Sequence, residues 1–470
     1  MEKMRLTHPQ KRIMAVEMLS NGVHTNNLPN YIFFPKNQEA TLKKVIEAVL
    51  FEVKDIHLQF ALTEEGEYVA YYVPYYAKED DIQILDLRGE SEELIQETIN
   101  QFVLQPFGDV FDKRLFQFKL VLTNEHTVLC IRIHHIICDG TGIANLRHYF
   151  IKMFESVSNG NDYKVPINNY LKYYEIEEAY LNSQEYLKDK SYWMTHLEDL
   201  TECSEGIKNE GDFHSKTIAI ELSNETVSKL KGFTHSFNKP ISPYVFTMGL
   251  MNIFVGRYYN SKTVVMTSGY NNRTYEDEIN NAIGMLVSTV PLKMQYDGKC
   301  QLSKVFEAAK AELKQGLSHS QYPYDLLLED LKKADVDINK LLNFAIVSNS
   351  IYDNGQYTLK TAMYNATYAP LLIRINWTKE DKYGLQSLHL EFRKDCFQEK
   401  EMETIASCFR AMIEDIAKNP NQTCGEVRLI SEEEEAKIIN VFNNTKVDYD
   451  DLSETIIDMF KNQVRRTPEN

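Results

Sequence analysis

Apolar residues recur along the chain with helical spacing in some segments and with strand spacing in others. In residues 42–51 (LKKVIEAVLF) the apolar positions fall on one face of a helix, which predicts an amphipathic helix. Residues 116–122 and 127–135 instead alternate between apolar and polar side chains, as strands with one buried face do. The first part of the chain is therefore predicted to combine helix and sheet.

A second set of helical and strand patterns follows later in the chain. It predicts a strand at 217–222, a helix at 225–237, an apolar helix at 243–259, a strand at 263–268 and a closing amphipathic helix at 398–418. The closing helix is expected to stop at the Asn419-Pro420 pair, because proline disfavours helical backbone in the residue before it. With no internal repeat and no low-complexity tract, the pattern predicts an α/β or α+β protein.

The two sets are separated by a segment of different composition. Residues 168–197 are rich in Tyr, Glu and Lys in helical register, and residues 199–215 are polar. We place a lobe boundary in this region, which gives a first lobe at 1–178 and a second lobe at 179–430. Beyond about residue 429 the chain changes character, so residues 431–470 are predicted to be a linker toward a further domain.

Charge and composition narrow the classes of function. The chain of 470 residues has 51 Lys and Arg against 68 Asp and Glu, a formal net charge of −17, which argues against a nucleic-acid partner. No uncharged run reaches the roughly 18 residues of a membrane span, and the start lacks the apolar stretch of a secretory signal. We therefore expect a cytoplasmic protein. Its seven cysteines are scattered without a CxxC pair, so neither a disulfide framework nor a zinc ribbon is expected.

The chemistry is concentrated in residues 130–142 (CIRIHHIICDGTG). If this segment continues as a strand, His135 shares the apolar face and His134 points the other way. A histidine in an apolar setting tends to lose its proton, so His135 is the better candidate for a base. The turn from Asp139 to Gly142 is expected to lead into a helix from Ile143, whose free N–H groups could hold an oxyanion.

Structural interpretations of the same residues remain open. A buried histidine is more often a satisfied core residue than a catalytic one, and an Asp-Gly pair is more often only a turn. A metal site made by His134, His135, Cys138 and Asp139 is disfavoured, because the side chains of adjacent strand residues diverge. No bound metal is therefore expected.

The four residues His134, His135, Asp139 and Gly140 resemble the HHxxxDG motif of condensation domains from nonribosomal peptide synthetases, within the chloramphenicol-acetyltransferase-like superfamily. The resemblance extends over about residues 5–430, because further segments are similar to other motifs of that family in the same order. These segments are 6–13 (LTHPQKRI), 169–193 (ending in KDKSYW), 283–293 (IGMLVSTVPLK), 319–325 (HSQYPYD) and 344–349 (FAIVSN).

This resemblance implies two acyltransferase-like lobes arranged in a V, with a substrate tunnel between them. Two phosphopantetheine arms would enter the tunnel from opposite faces, one carrying an acyl or peptidyl thioester and the other an aminoacyl thioester. The amine of the acceptor would attack the donor thioester and form an amide. The implied partners are an acceptor carrier protein and a donor that is either a carrier protein or an acyl-coenzyme A, and the domain itself would bind no cofactor.

The resemblance also assigns roles to residues. It implies that His135 orients or deprotonates the amine and that the Gly140 amide stabilises the oxyanion, with His134 in support. Asp139 would be structural and paired with Arg273. Two further residues would line the tunnel, with ordinary polar residues of a sheet as the alternative interpretation; these are Ser288 and Asn349.

Some features depart from the family pattern or leave its subtype open. Residues 55–60 (DIHLQF) lack the paired arginines that usually follow the first long helix, and Met14 stands where an aromatic residue is usual. The tail from Ser453 resembles the lead-in to an adenylation domain, which is therefore the expected downstream partner. A starter domain that N-acylates the first amino acid with a fatty acyl group and an internal elongation domain both fit. An epimerization domain, a non-catalytic recruitment domain and a stand-alone acyltransferase are the weaker alternatives.

Overall fold

A computed structural model describes residues 3–20, 26–75, 82–208, 210–273, 277–351, 357–362, 366–378, 385–446 and 454–469. The strands within these ranges are β1 (Met4–Arg5), β2 (Asn27–Pro35), β3 (Leu58–Leu62), β4 (Tyr68–Tyr72), β5 (Ile82–Asp86), β6 (Phe116–Leu122), β7 (His126–His134), β8 (Ser215–Glu221), β9 (Thr263–Tyr270), β10 (Ser288–Gln295), β11 (Phe344–Ile351), β12 (Leu359–Thr361), β13 (Leu371–Thr378) and β14 (Ser387–Arg393).

The helices alternate with these strands along the chain. They are α1 (His8–Leu19), α2 (Glu39–Glu52), α3 (Glu92–Leu104), α4 (Gly140–Asn159), α5 (Leu171–Leu181), α6 (Gln184–His196), α7 (Asn224–His235), α8 (Pro243–Tyr258), α9 (Asp277–Asn281), α10 (Leu302–Ser318), α11 (Tyr324–Lys333), α12 (Glu399–Lys418), α13 (Glu432–Lys437) and α14 (Ile456–Arg466). Each segment predicted above as a helix or strand coincides with an observed element of the same type, within a few residues at its ends.

The first sheet is sandwiched between helices. Its strand order is β12-β2-β7-β6-β5, and β7 pairs antiparallel with both β2 and β6. Alternate residues of β7 face opposite sides: Leu129 and Ile131 join a core with α2 and α4, whereas Val128 and Cys130 join a smaller cluster with α3. Because both faces are covered, β7 is buried along nearly its whole length, and its carboxyl end is held firmly where His134 ends the strand.

The second sheet forms the base of a separate core. Its order is β10-β9-β11-β13-β14-β8, with β11 parallel to β9 and β13 and the other pairs antiparallel. The apolar helix α8 is buried along nearly all of its length, as expected of a helix that is hydrophobic all round. It packs against α10 and α12, the latter being the predicted closing helix. A small third sheet has the order β1-β4-β3.

Two segments from the second half of the sequence belong to the first core. Ile283, Met285 and Leu286 are buried among residues of α2 and α4. Strand β12 pairs antiparallel with β2, so a piece of chain from beyond β11 forms an edge of the first sheet. The lobe boundary at residue 178 stays a prediction, but the two cores are joined by these crossing segments as well as by the chain near it.

Candidate active site

The two adjacent histidines lie where β7 gives way to a short turn. The strand ends at His134, and His135–Ile137 form one turn of 3-10 helix before α4 begins at Gly140. The turn is capped by His134, whose Nδ1 accepts the N–H of Ile136 at 3.2 Å. Asp139 then caps α4, because its Oδ1 accepts the N–H of Gly142 at 2.8 Å.

This local structure corrects two sequence-based expectations. The strand was expected to include His135, and the helix was expected to start at Ile143; the strand is one residue shorter, and the helix starts three residues earlier. The prediction that His135 shares the face of Leu129 and Ile131 stays a prediction, because the strand ends one residue before His135. The capping side chains decide the outcome, because they end the strand and start the helix.

The two histidines differ sharply in their surroundings. His134 is 0% exposed and its Nε2 lies 3.3 Å from Glu17 Oε2. His135 is only partly buried and lines a large cavity. Its Nδ1 is buried and has no hydrogen-bond partner among the described residues, while its backbone N–H donates to the Asn26 carbonyl at 2.6 Å. The side chain that faces the cavity is thus His135.

The protonation state of His135 follows from its burial. Desolvation lowers the pKa of His135 to about 4, and the nearby guanidinium of Arg12 acts in the same direction, while Asp139 opposes the shift. The imidazole is therefore neutral at pH 7 and carries a free lone pair, which is the state a proton acceptor requires.

We expect the His135 imidazole to remain neutral in the folded protein from pH 8 down to about pH 5. Its pKa in the fold lies below the ordinary 6.5, so the unfolded chain binds the proton more tightly. The stability that the neutral ring contributes is accordingly present above about pH 6.5 and is lost as the pH falls toward 4. Nuclear magnetic resonance of the histidine rings across this range, assigned with His135→Gln, measures it; a titration midpoint near 6.5 would contradict the described setting.

Asp139 is bound by three groups and none of them is in the cavity. Besides capping α4, its Oδ2 accepts a bond from Arg273 Nη1 at 2.7 Å and one from the Leu286 N–H at 3.0 Å. The side chains of Asp139 and Arg273 are 0% and 1% exposed, so this ion pair is sealed from water. Arg273 also donates to the Ala282 carbonyl at 3.1 Å. These contacts give Asp139 a position in which it connects the histidine turn to the segment around residue 284.

That segment, residues 282–286, is here called the strap. The N–H of Asp139 donates to the Gly284 carbonyl at 3.0 Å, and the hydroxyl of Tyr170 donates to the Met285 carbonyl at 3.0 Å. The N–H of Ile283 donates to the buried carboxyl of Asp55 at 3.2 Å. A Cβ on Gly284 would lie 2.1 Å from the Tyr170 ring, so this close approach requires glycine. Side chains of the first core therefore bind the strap along its whole length.

Two residues of this network were missed by the sequence reasoning, Asp55 and its partner Tyr170. Asp55 stands in the segment that lacks the family's paired arginines, and it binds the N–H groups of both Tyr170 and Ile283. Burial raises the pKa of Asp55 to about 6. No pattern in the sequence indicates this role, because the partners lie more than a hundred residues away along the chain.

A cavity of about 1160 Å³ opens beside the histidine turn, and both halves of the chain line it. His135 and Gly140 lie on its wall, and Gly140 is the first residue of α4, where backbone N–H groups have no partner within the helix. Ser288 lies instead in a smaller adjacent pocket. Asn349 belongs to β11, but its side chain lies outside the described residues.

Two further residues of the cavity wall were not among the candidates. Arg12 on α1 is held by Thr289 Oγ1 at 2.6 Å and by the Val287 carbonyl at 3.0 Å, and within the described ranges no carboxylate pairs with it. The Tyr324 hydroxyl is buried and has no partner in the part of the chain that the structure describes. A partly buried cation and an unpaired hydroxyl on one wall suit a polar or anionic group of a ligand. Arg12 belongs to the segment 6–13 (LTHPQKRI) that resembles a family motif, and this was the sequence feature from which its place in the site could have been predicted.

The arrangement is suited to proton transfer and to stabilisation of negative charge. The neutral imidazole of His135 and Gly140, the first residue of α4, line the same cavity. Within the described ranges, no group of three or more His, Cys, Asp or Glu side chains has the geometry to hold a metal ion, and no helix has the length and apolar character of a membrane span.

Comparison with known proteins identifies similar sequences and folds. The sequence model of the family described as Condensation domain matches residues 1–439. One of the plipastatin synthase proteins of Bacillus subtilis is 24% identical over 475 residues, covering 99% of this chain and 18% of the relative. Surfactin synthase subunit 1 from the same organism is 24% identical over 460 residues, covering 94% and 12%. The chain thus spans less than a fifth of the length of these relatives.

Solved structures of the same fold are also similar. The first condensation domain of the CDA synthetase superposes with a TM-score of 0.75 at 18% identity, covering 92% of this chain and 99% of that one. The starter condensation domain of rhizomide synthetase, in complex with C8-CoA and Leu-SNAC, gives 0.77 at 17% identity, covering 91% and 98%. The predicted two-lobed, mixed α/β fold of a condensation domain is confirmed by these neighbours.

Proposed function

Since this chain belongs to the condensation-domain family of nonribosomal peptide synthetases, we propose that it joins an acyl thioester to the amine of an aminoacyl thioester held on a carrier protein. The observation that carries the proposal is the neutral imidazole of His135 on the wall of a large cavity that also exposes Gly140 at the start of α4. Such a site offers a proton acceptor and a hydrogen-bond donor to one reacting carbonyl.

The proposed reaction balances without a cofactor. The amine nitrogen attacks the thioester carbonyl, a C–N bond forms, and His135 orients the amine and accepts the proton that the nitrogen loses. The oxygen of the tetrahedral intermediate is negatively charged and accepts a hydrogen bond from the Gly140 N–H. The C–S bond then breaks, and the departing sulfur takes up a proton as the carrier thiol. Asp139 takes no proton, because its carboxylate is bound by Gly142, Arg273 and Leu286.

Positioning supplies much of the proposed rate. Two reactants tethered on phosphopantetheine arms and held in one cavity react as if within one molecule, which lowers the barrier by several kcal/mol, up to about 7–11 kcal/mol in the best cases. The cavity volume of about 1160 Å³ is ample for both reacting ends. We therefore propose carrier proteins as the partners on the acceptor side, with an adenylation domain downstream.

The wall next to His135 favours an apolar donor. Val16 and Leu19 on α1 and Leu28 on β2 line the cavity, and α1 packs against the turn that contains His135. This surface suits a fatty acyl chain, since burial of each methylene group stabilises the complex by about 0.8 kcal/mol. A starter domain that acylates the first amino acid is thus our preferred subtype, and an elongation domain with a peptidyl donor is the alternative.

A donor panel tests the proposed function. The purified protein is given an aminoacyl carrier thioester together with either fatty-acyl coenzyme A or a peptidyl carrier thioester, and the acceptor carrier is analysed for a new amide. Amide from the fatty-acyl donor supports a starter domain, and amide from the peptidyl donor alone shows an elongation domain. A folded sample that forms no amide from any donor would contradict the proposal and favour a recruitment role.

Two substitutions at Gly140 test the proposed oxyanion donor. Proline is well tolerated at the first position of a helix. The preceding residue, Asp139, has extended backbone (φ −104°, ψ −176°), which is compatible with a following proline. We expect Gly140→Pro, which lacks the N–H, to lower the rate constant for amide formation about 100-fold. Gly140→Ala keeps the N–H, and a Cβ there meets no atom within 4 Å, so its rate should stay near that of the unmodified protein.

The comparison of these two variants isolates the N–H group. Both should unfold at temperatures close to that of the unmodified protein, which thermal unfolding by circular dichroism measures. Equal rates for the proline and alanine variants would show that the Gly140 N–H is not used.

A further inference from the structure

A buried carboxylate, that of Glu17, lies next to His134 and takes no part in the reaction proposed above. Glu17 is on α1, is 7% exposed and does not line the cavity. Its Oε2 accepts a hydrogen bond from Asn26 Nδ2 at 2.7 Å and lies 3.3 Å from His134 Nε2. One oxygen of this carboxylate therefore connects the residue before β2 with the last residue of β7.

The contact with His134 fixes the ring of that residue. Because His134 Nδ1 accepts the N–H of Ile136, that nitrogen carries no proton, and the proton of the neutral ring resides on Nε2. The Nε2–H group then donates to Glu17. The ring is 0% exposed and packs edge-on against Phe107, so it has no path to a substrate. Hydrogen bonds to Glu17 at Nε2 and from the Ile136 N–H at Nδ1 therefore fix the ring of His134 on both sides.

The contact with Asn26 fixes the backbone of His135. Glu17 holds the side chain of Asn26, and the main-chain carbonyl of Asn26 accepts the N–H of His135 at 2.6 Å. Asn26 is itself 4% exposed, and α1 packs directly on the 3-10 turn. Glu17 therefore acts on His135 through two residues: the ring of His134, which precedes it, and Asn26, whose carbonyl accepts the His135 N–H.

We propose that Glu17 is a positioning residue that sets the place of the His135 imidazole relative to Gly140, acting through His134 and Asn26. The inference rests on the proposed function for its effect on rate, but not for its effect on the ring of His134. Hydrogen bonds to a buried carboxylate are stronger than neutral ones, so this contact resists displacement. A displacement of about 1 Å at a reacting group lowers rates about 100-fold, and loss of the carboxylate permits a displacement of that kind.

The test compares Glu17→Gln with Glu17→Ala. Both contacts use one oxygen, and the amide oxygen of glutamine can occupy its place, so Glu17→Gln should keep the rate constant within about threefold. Glu17→Ala removes both contacts, and we expect the rate constant for amide formation to fall at least tenfold with little change in KM. Rescue by glutamine separates positioning from a requirement for negative charge.

A matched control addresses the stability that any buried carboxylate contributes. Asp415 on α12, a helix of the second core, is 6% exposed and accepts hydrogen bonds from Asn419, Gln422 and Arg428. Asp415→Ala should lower the unfolding temperature as Glu17→Ala does, yet leave the rate constant unchanged. Equal rate losses in the two alanine variants would show that Glu17 acts only through stability and would overturn the inference.

The tautomer of His134 gives a readout that does not depend on activity. Nitrogen-15 resonances of the ring should show the proton on Nε2 in the unmodified protein and in Glu17→Gln, and a mixture of tautomers in Glu17→Ala. If the unmodified protein forms no amide, the proposed function fails while this readout still tests the contact. If it forms amide and Glu17→Ala does so equally fast, with the His134 tautomer unchanged, the inference about Glu17 fails alone.

Discussion

Replacement of His135 by alanine is expected to lower the rate constant for amide formation about 100-fold or more, while the fold is kept. General base catalysis by a positioned side chain contributes about 10²–10⁴-fold. The ring has no hydrogen bond from its buried Nδ1, and the backbone N–H that donates to Asn26 remains in the variant. Its loss therefore removes a reacting group from the cavity without breaking a side-chain hydrogen bond among the described residues.

Some turnover should survive in this variant, because tethering of both substrates supplies a large part of the rate on its own. Single-turnover amide formation under saturating donor and acceptor measures the loss, and thermal unfolding followed by circular dichroism is the control. Full activity would exclude His135 as the proton acceptor, and an unfolded variant would assign it a structural role instead.

Replacement of Asp139 by alanine is expected to act on stability first. The change leaves the Arg273 guanidinium buried without its carboxylate and leaves the N–H groups of Gly142 and Leu286 without an acceptor. Breaking a buried ion pair from one side costs about 3–5 kcal/mol in the free energy of unfolding. The midpoint of urea unfolding should fall accordingly, and activity should fall with it as the histidine turn detaches from the strap.

Arg273 provides the control for this prediction. The double variant Asp139→Ala with Arg273→Ala no longer leaves an unpaired buried charge, so its stability loss should be smaller than the sum of the two single losses. Additive losses would contradict the ion pair. A variant of Asp139 that loses activity with unchanged urea unfolding would contradict a purely structural role for this residue.

The contacts of Asp139 also join the two halves of the protein at the catalytic turn. The histidine turn comes from the first sheet, and the strap follows α9 and leads into β10 of the second sheet. Gly142 must approach the strap closely, since a Cβ there would lie 3.4 Å from the Gly284 nitrogen and 3.0 Å from Cys138 Sγ. A change in the relative position of the two halves would therefore shift the position of His135 through the hydrogen bonds of Asp139.

Elements with strong local patterns could be predicted from the sequence. Strand β6 has the predicted bounds, and α8 and α12 agree within one residue at each end. Apolar spacing marks the buried face of β6 and α12, and a continuous apolar run marks α8. The motif likewise placed His134, His135, Asp139 and Gly140 in one short segment. These predictions depend on residues that are neighbours in the chain.

Other features depend on partners that are distant in the chain, and they could not be predicted. The end of β7 is decided by the capping bond of His134, which favours a turn over one more strand residue. The pairing of β12 with β2 joins residues more than three hundred positions apart. The contact between Glu17 and His134 has no sequence signal either, since the two residues lie 117 positions apart in the chain.

The most direct test of amide formation at His135 is the mass of the acceptor carrier protein after one turnover. The carrier, loaded with an aminoacyl thioester, is mixed with donor thioester and with the unmodified protein or the His135→Ala variant, and its intact mass is followed with time. We predict that the mass of one acyl group appears on the aminoacyl carrier with the unmodified protein and appears about 100-fold more slowly with the variant. An acceptor whose mass stays unchanged across fatty-acyl and peptidyl donors, with a folded protein, would contradict this mechanism.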